Sequence, residues 1–174
     1  MVLDGLMDFL IEIAHDPVLY SVVFFIYSVL ATIVLPIPVE VGLFLSTATP
    51  FAVKALVLGA GKAAGASLVF LLGGRLESPL DRFTSKWVVT RWFVNIMQRF
   101  VAKTRYFGLF LILSIPLMVD TVPIYIFAVF NQKGTMNLKY FALTNFLAGI
   151  TRTAIVYWVA FQFGIYLTEP VPTP

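Results

Sequence analysis

The chain has 174 residues, of which 60% are apolar, 16% aromatic and only 12% charged; its net charge is +3 and it contains no cysteine. A soluble domain is closer to half apolar and a quarter charged, and here the excess lies in long runs, the composition of an integral membrane protein. Without cysteine there are no disulfides, no thiol catalysis and no Cys-ligated metal, and without a basic aromatic motif or soluble module nucleic-acid binding has no support.

The opening "MVLDGLMDFLIEIAHD" carries acids and no Lys or Arg, so it lacks the basic start of a secretory signal. Asp4, Asp8, Glu12 and Asp16 recur every four residues beside an apolar stripe of Leu3, Leu6, Met7, Leu10 and Ile13. That pattern predicts a short interfacial helix; a water-exposed leader is the alternative. His15 is a lone histidine and reads as a bystander.

Five apolar units follow. Residues 17–35 form a run of spanning length at roughly 20 residues per crossing. Residues 36–51 are apolar but interrupted by Pro36, Pro38, Gly42 and Pro50. Residues 55–74 read as a full span with one base, Lys62. Residues 106–130 are broken by Pro116, Asp120 and Pro123, and residues 140–167 form a long span with one base, Arg152. Between the third and fourth units, residues 75–105 hold seven of the twelve basic residues. Apolar pairs one turn apart (Val88/Val89, Trp92/Phe93, Ile96/Met97, Phe100/Val101) make this a basic amphipathic segment at a membrane surface. The positive-inside rule places it in the cytoplasm.

The chain repeats itself. Pro36, Val39 and Glu40 match Pro116, Val119 and Asp120 at an offset of 80, while Gly59, Lys62 and Gly74 match Gly149, Arg152 and Gly164 at an offset of 90. The polar insert "FNQKGTMNLK" accounts for the extra ten residues. Residues 17–74 thus form a first repeat and 106–167 a second, within one membrane domain. Transporter repeats of this kind are often inverted, with the site at mid-membrane between them. Proline breaks a helix, and broken backbone survives in a bilayer only against protein or a watery cavity. Units 36–51 and 116–130 are therefore expected to be re-entrant hairpins, formed by Pro36, Pro38, Pro116 and Pro123, entering from opposite sides. The N-terminus then lies inside and the C-terminus outside; two kinked crossing helices are the alternative.

At these residues the chain resembles the DedA/VTT-domain membrane family, also called the SNARE-associated Golgi protein family. The resemblance rests on the "P-x-P-x-E" of Pro36, Pro38 and Glu40, the span "GAGKAAGASLVFLLGGRL" closing on Gly74 and Arg75, a second hairpin after an amphipathic segment, and a base in the last span. It covers roughly residues 30 to 165. The chain departs from many members in lacking arginines beside the second hairpin's proline, where it has Asp120. The resemblance implies a short, prokaryotic-type member in the plasma membrane, associated with lipid movement between leaflets or with transport linked to the proton-motive force.

The expected site is the set Glu40, Asp120, Lys62 and Arg152. An ionisable group in the bilayer core costs roughly 3 kcal/mol on insertion scales, and here the cost recurs at matched positions. Arg152 is suited to gripping a phosphate or carboxylate with its planar fork. A carboxylate in a dry pocket favours its protonated form, as a proton-coupled carrier needs. Structural ion pairs are the competing reading. Gly59, Gly61, Gly65 and Gly149 are expected to pack helices closely; for the GxxxG of Gly61 and Gly65, packing within the chain is favoured over homo-oligomerisation. No metal-ligand cluster, cofactor motif or nucleophile–base set is present, so no enzymatic activity is expected. The partners implied are membrane lipids with anionic headgroups, and protons. The readings to be separated are a lipid translocator, a proton-coupled exporter of a small amphipathic solute, and a membrane scaffold.

Overall fold

A computed structural model describes residues 16–35, 37–44, 46–84, 88–131 and 136–165, with the backbone alone over 74–98. The expected leader helix, Pro36 and the amphipathic face of 75–98 lie outside the described residues. Those described form six helices and no strand: α1 (Pro17–Ile33), α2 (Val41–Phe44), α3 (Phe51–Thr84), α4 (Val88–Ser114), α5 (Thr121–Val129) and α6 (Leu138–Gln162). The fold is all-α. Phe51–Gly73 is long and apolar enough to cross a membrane, and α1 is a shorter apolar helix. At 1.5 Å per residue, α6 has the length, but Lys139, Asn145 and Arg152 interrupt its apolar character.

Local chemistry sets the helix ends. Asp16 caps α1, its carboxylate accepting from the backbone N–H groups of Val18 and Leu19, with Pro17 in the first turn; this is a favoured helix start. Asp16 thus belongs to α1 and not to the acidic stripe of the leader. At the far end, α6 closes with Gly164 at φ +71° and a bond from the Ile165 N–H to the Ala160 carbonyl at 2.9 Å. This is a glycine-terminated helix end.

The chain reverses twice. After α1 it turns back, so that the Tyr20 hydroxyl donates to the Gly42 carbonyl and the Tyr27 hydroxyl to the Pro38 carbonyl at 3.3 Å. The outgoing arm of the first reversal is therefore α1 itself, and 36–51 is not a hairpin on its own. In the second half, α4 breaks at Arg105 (φ 43°, ψ −134°) and non-helical backbone follows Ser114. The chain then returns as α5, where Phe127 meets Phe100 edge-on at 5.9 Å. Pro116 lies in this break, but Pro123 sits in the first turn of α5, where a missing N–H costs nothing. Pro123 therefore starts a helix and does not break one.

The bundle is built on α3, which packs most extensively against α6 and α1. Helices α3 and α6 run antiparallel: Phe51 meets Tyr157 at one end and Phe70 meets Phe141 at the other. Close approach needs glycine. A Cβ on Gly61 would lie 2.5 Å from the Ser28 Cβ, and one on Gly65 2.8 Å from the Thr32 Cβ. The GxxxG face is thus filled by α1 within the same chain. Gly59 and Gly149 face each other, a Cβ on the latter falling 2.9 Å from the Gly59 Cα.

The interior has two apolar clusters. One gathers Tyr20, Phe24, Leu43, Leu58 and Val156; the other gathers Ala66, Leu109, Leu113, Phe127 and Ala148. The outside is also apolar. Val18, Val22, Ile26 and Leu30 stand exposed on one stripe of α1, as do Leu143, Leu147 and Trp158 on α6. Yet Arg152, Lys54 and Lys62 rank among the largest fully buried side chains.

Candidate functional site

On α3, Lys62 falls between Leu58 and Ala66, one helical turn from each; on α6, Arg152 falls likewise between Ala148 and Val156. Leu58 and Val156 belong to one apolar cluster, Ala66 and Ala148 to the other. The two bases therefore form a polar layer between the clusters. The acids reach this layer from the two chain reversals, since Glu40 immediately precedes α2 and Asp120 immediately precedes α5. Asp120 stands at the N-cap of α5 without bonding its N–H groups, because its carboxylate is turned to the bases.

All four expected charges come together, and two of the three pairs cross between the halves. Lys62 Nζ lies 3.0 Å from Asp120 Oδ2. Arg152 reaches Glu40 Oε1 with Nη1 at 3.2 Å and Asp120 Oδ1 with Nη2 at 2.9 Å. No side chain of the four is more than 2% exposed. The backbone of the second reversal joins in: the Leu117 N–H donates to Glu40 Oε1 at 2.9 Å, and Arg152 Nη1 donates to the Met118 carbonyl at 3.2 Å. Leu117 adopts φ 61° to do so, a region non-glycine residues seldom occupy.

Two acids and two bases leave the cluster with no net charge. Removing charges from water is expensive, and their mutual attraction offsets that cost only when the geometry is good. Arg152 supplies the geometry, its fork straddling both carboxylates. This also means that its two terminal nitrogens are already engaged, so an anionic ligand reaches Arg152 only by displacing an acid. The cluster is incompletely satisfied. Both Asp120 oxygens and Arg152 Nη2 are held by ion pairs alone, while Glu40 Oε2 and Arg152 Nε make neither hydrogen bond nor ion pair.

Glu40 differs from Asp120 in one respect. It forms part of the wall of a cleft of about 200 Å³, otherwise lined by apolar residues that include Pro116, Leu117, Val156 and Phe163. Among the described residues no three His, Cys, Asp or Glu side chains assemble into a metal-ligating group.

Two elements of the site escaped the sequence reading. Lys54, which falls just before the 55–74 run, is buried; it donates to the Leu43 carbonyl at 3.0 Å and to the Ser46 carbonyl, closing the exit of α2. Its signal was a lysine one helical turn after Pro50, the residue before α3, in an apolar run. The cleft wall from the end of α6 carries no polar residue and left no signal. Compared with known proteins, the chain matches no family model, no curated protein and no solved structure.

Proposed function

We propose that the protein is a membrane transporter, not an enzyme, that moves an amphipathic lipid between leaflets in a reaction sensitive to protons. The observation carrying this reading is the neutral four-charge cluster, buried where two matched halves meet, in a bundle whose exterior is apolar. Large exposed apolar surface is rare on soluble proteins, and charges inside a membrane bundle face its interior and mark substrate or proton paths. The antiparallel crossing of α3 and α6 at Gly59 and Gly149 supports an inverted repeat, and the resemblance to the DedA/VTT family supports lipids as the cargo. The amphipathic segment 75–105 would rest on anionic headgroups at the cytoplasmic face of the plasma membrane.

The charges supply a switch. A proton on Glu40 removes the attraction holding Arg152 Nη1 and leaves the cluster with one excess positive charge. That charge is costly in the interior unless an anion replaces the lost carboxylate. Proton uptake therefore favours entry of an anionic headgroup to Arg152, and release of the headgroup favours loss of the proton. The test is translocation of a labelled phospholipid in proteoliposomes, with and without a pH gradient. Glu40→Gln is expected to abolish the pH dependence while the protein remains folded.

A scaffold is the second reading, favoured by the observation that the three ion pairs close among themselves. On that reading purified protein moves no lipid, and Arg152→Lys loses only stability. On the transporter reading Arg152→Lys also loses translocation, by roughly the 1–3 kcal/mol of a hydrogen bond to a charged group, because one ammonium does not reproduce the planar fork.

A further inference from the structure

The second reversal is held in place through the charges. Residues 115–120 are non-helical between α4 and α5, and two of their apolar side chains point outward, Ile115 being 52% and Leu117 71% exposed. Ile115 continues the last turn of α4 with a bond to the Ile112 carbonyl. Beyond that, among the described residues, two hydrogen bonds tie 115–119 to the bundle. The Leu117 N–H donates to Glu40 Oε1 at 2.9 Å, and the Met118 carbonyl accepts from Arg152 Nη1 at 3.2 Å. Glu40 Oε1 and Arg152 Nη1 are also each other's ion-pair partners, at 3.2 Å. Both ties therefore run through one pair of atoms, and parting that pair loosens both.

The ties work against strain. Leu117 sits at φ 61°, where the Cβ of an L residue crowds its own backbone, and leucine has no polar side-chain group to offset the cost. Strain of this kind persists only where the surroundings impose it, and it collects at switch regions. The strained residue also stands at a boundary. Pro116 and Leu117 line the apolar cleft together with Phe44, Val159 and Phe163, while the Leu117 N–H reaches into the charge layer. The charges are sealed from that cleft, for the side chains of Glu40 and Arg152 are 1% and 0% exposed. Release of the two ties lets Leu117 relax to negative φ, which swings its N–H off Glu40 and moves the shared wall. We propose that residues 115–119 are a gate between the apolar cleft and the four charges, latched shut by the Glu40–Arg152 pair and driven open by the strained backbone of Leu117. Its purpose, to admit a headgroup to Arg152, rests on the transport reading above; the motion itself does not.

The test reads motion in the full-length chain in phosphatidylcholine nanodiscs. The chain contains no cysteine, so Ile115→Cys, on the exposed flank of the gate, carries a single trifluoromethyl tag in every sample, followed by fluorine NMR with saturation transfer. The otherwise unaltered chain should show a dominant closed line. Leu117→Pro removes the donating N–H and forbids positive φ while leaving every ion-pairing side chain in place, and should make the open line dominant. Glu40→Gln weakens the tie by removing its charge and loosens Arg152 Nη1, and should raise the open line severalfold. Adding Leu117→Gly to Glu40→Gln should lower it again by roughly tenfold, the scale of the left-handed cost that glycine escapes. That suppression separates a sprung gate from a static turn, in which glycine raises thermal stability and leaves the populations alone. One unchanged line across the set would overturn the proposal, as would an open line in Glu40→Gln that glycine leaves equal or enlarges. Thermal stability is measured on the same samples, and if Leu117→Pro fails to fold, Glu40→Gln with and without Leu117→Gly decides. Suppression in a protein that moves no lipid in proteoliposomes would keep the gate and end the transport reading; transport without a second line would do the reverse.

Discussion

The two chain reversals place their acids at matched positions and use them differently. Asp120 is fully committed, one oxygen to Lys62 and the other to Arg152. Glu40 shares Arg152, takes a backbone N–H from the opposite half, and keeps one oxygen free of hydrogen bonds beside a cleft. Around them the halves also diverge. The first reversal has an unbroken helix, α1, as its outgoing arm and is clamped by Lys54; the second has a kinked arm. Matched positions thus carry one acid ion-paired through both oxygens and one ion-paired through a single oxygen.

The largest expected effect breaks the committed side. Asp120→Asn leaves Lys62 without its carboxylate and Arg152 with half its partners, all buried. Removing one partner of a buried pair costs about 3–5 kcal/mol, to be read as a large loss of thermal stability in detergent. Glu40→Gln sharpens the comparison. Arg152 keeps Asp120 and the amide oxygen still accepts from Leu117, so the loss should be about 2 kcal/mol, the scale of a hydrogen bond to a charged group. If Glu40→Gln proved as damaging to stability as Asp120→Asn, the division of roles would fail.

A smaller effect tests the seam. Gly149→Ala places a Cβ 2.9 Å from the Gly59 Cα, where a backbone has to move; overpacking should cost about 1–2 kcal/mol. Weakened pairing of Lys62 with Asp120 should accompany it, visible as altered accessibility of an engineered cysteine near Asp120. The smallest effect should be a gain. Arg105 is exposed and holds a backbone conformation open mainly to glycine, so Arg105→Gly should stabilise by about 0.5–1 kcal/mol, measured by chemical denaturation.

What the sequence disclosed was what is rare in it. Four charges within apolar units stood out because each is expensive there, and the small residues at 59, 61, 65 and 149 stood out against bulky neighbours. The direction of the chain did not. Residues 17–35 read as a span because hydropathy records burial and not which segment folds back on which, so α1 was not recognised as an arm of the first reversal. The matched glycines also diverged: Gly164 ends α6, whereas α3 continues past Gly74 to Thr84. Helix-forming Arg75, Leu76 and Glu77 follow the first, while Ile165 and, further on, prolines follow the second. Neither the break at Arg105 nor the twist at Leu117 has a residue signature, since arginine and leucine both favour helical backbone and neither foretells a positive φ.

The crossed pairing carries a consequence for how the chain is made. Glu40 and Arg152, which hold each other in the finished protein, are separated by 112 residues, the difference of their positions. At roughly 5–20 residues per second of synthesis, Glu40 waits about 6–20 seconds for its partner. During that interval the bases already made downstream of it in the apolar part of α3, Phe51–Gly73, are Lys54 and Lys62, and its own partner is the last of the four charges to arrive. Half of this protein is therefore not a unit of assembly: a ribosome stalled midway leaves Glu40 and Lys62 without the partners they hold in the finished chain.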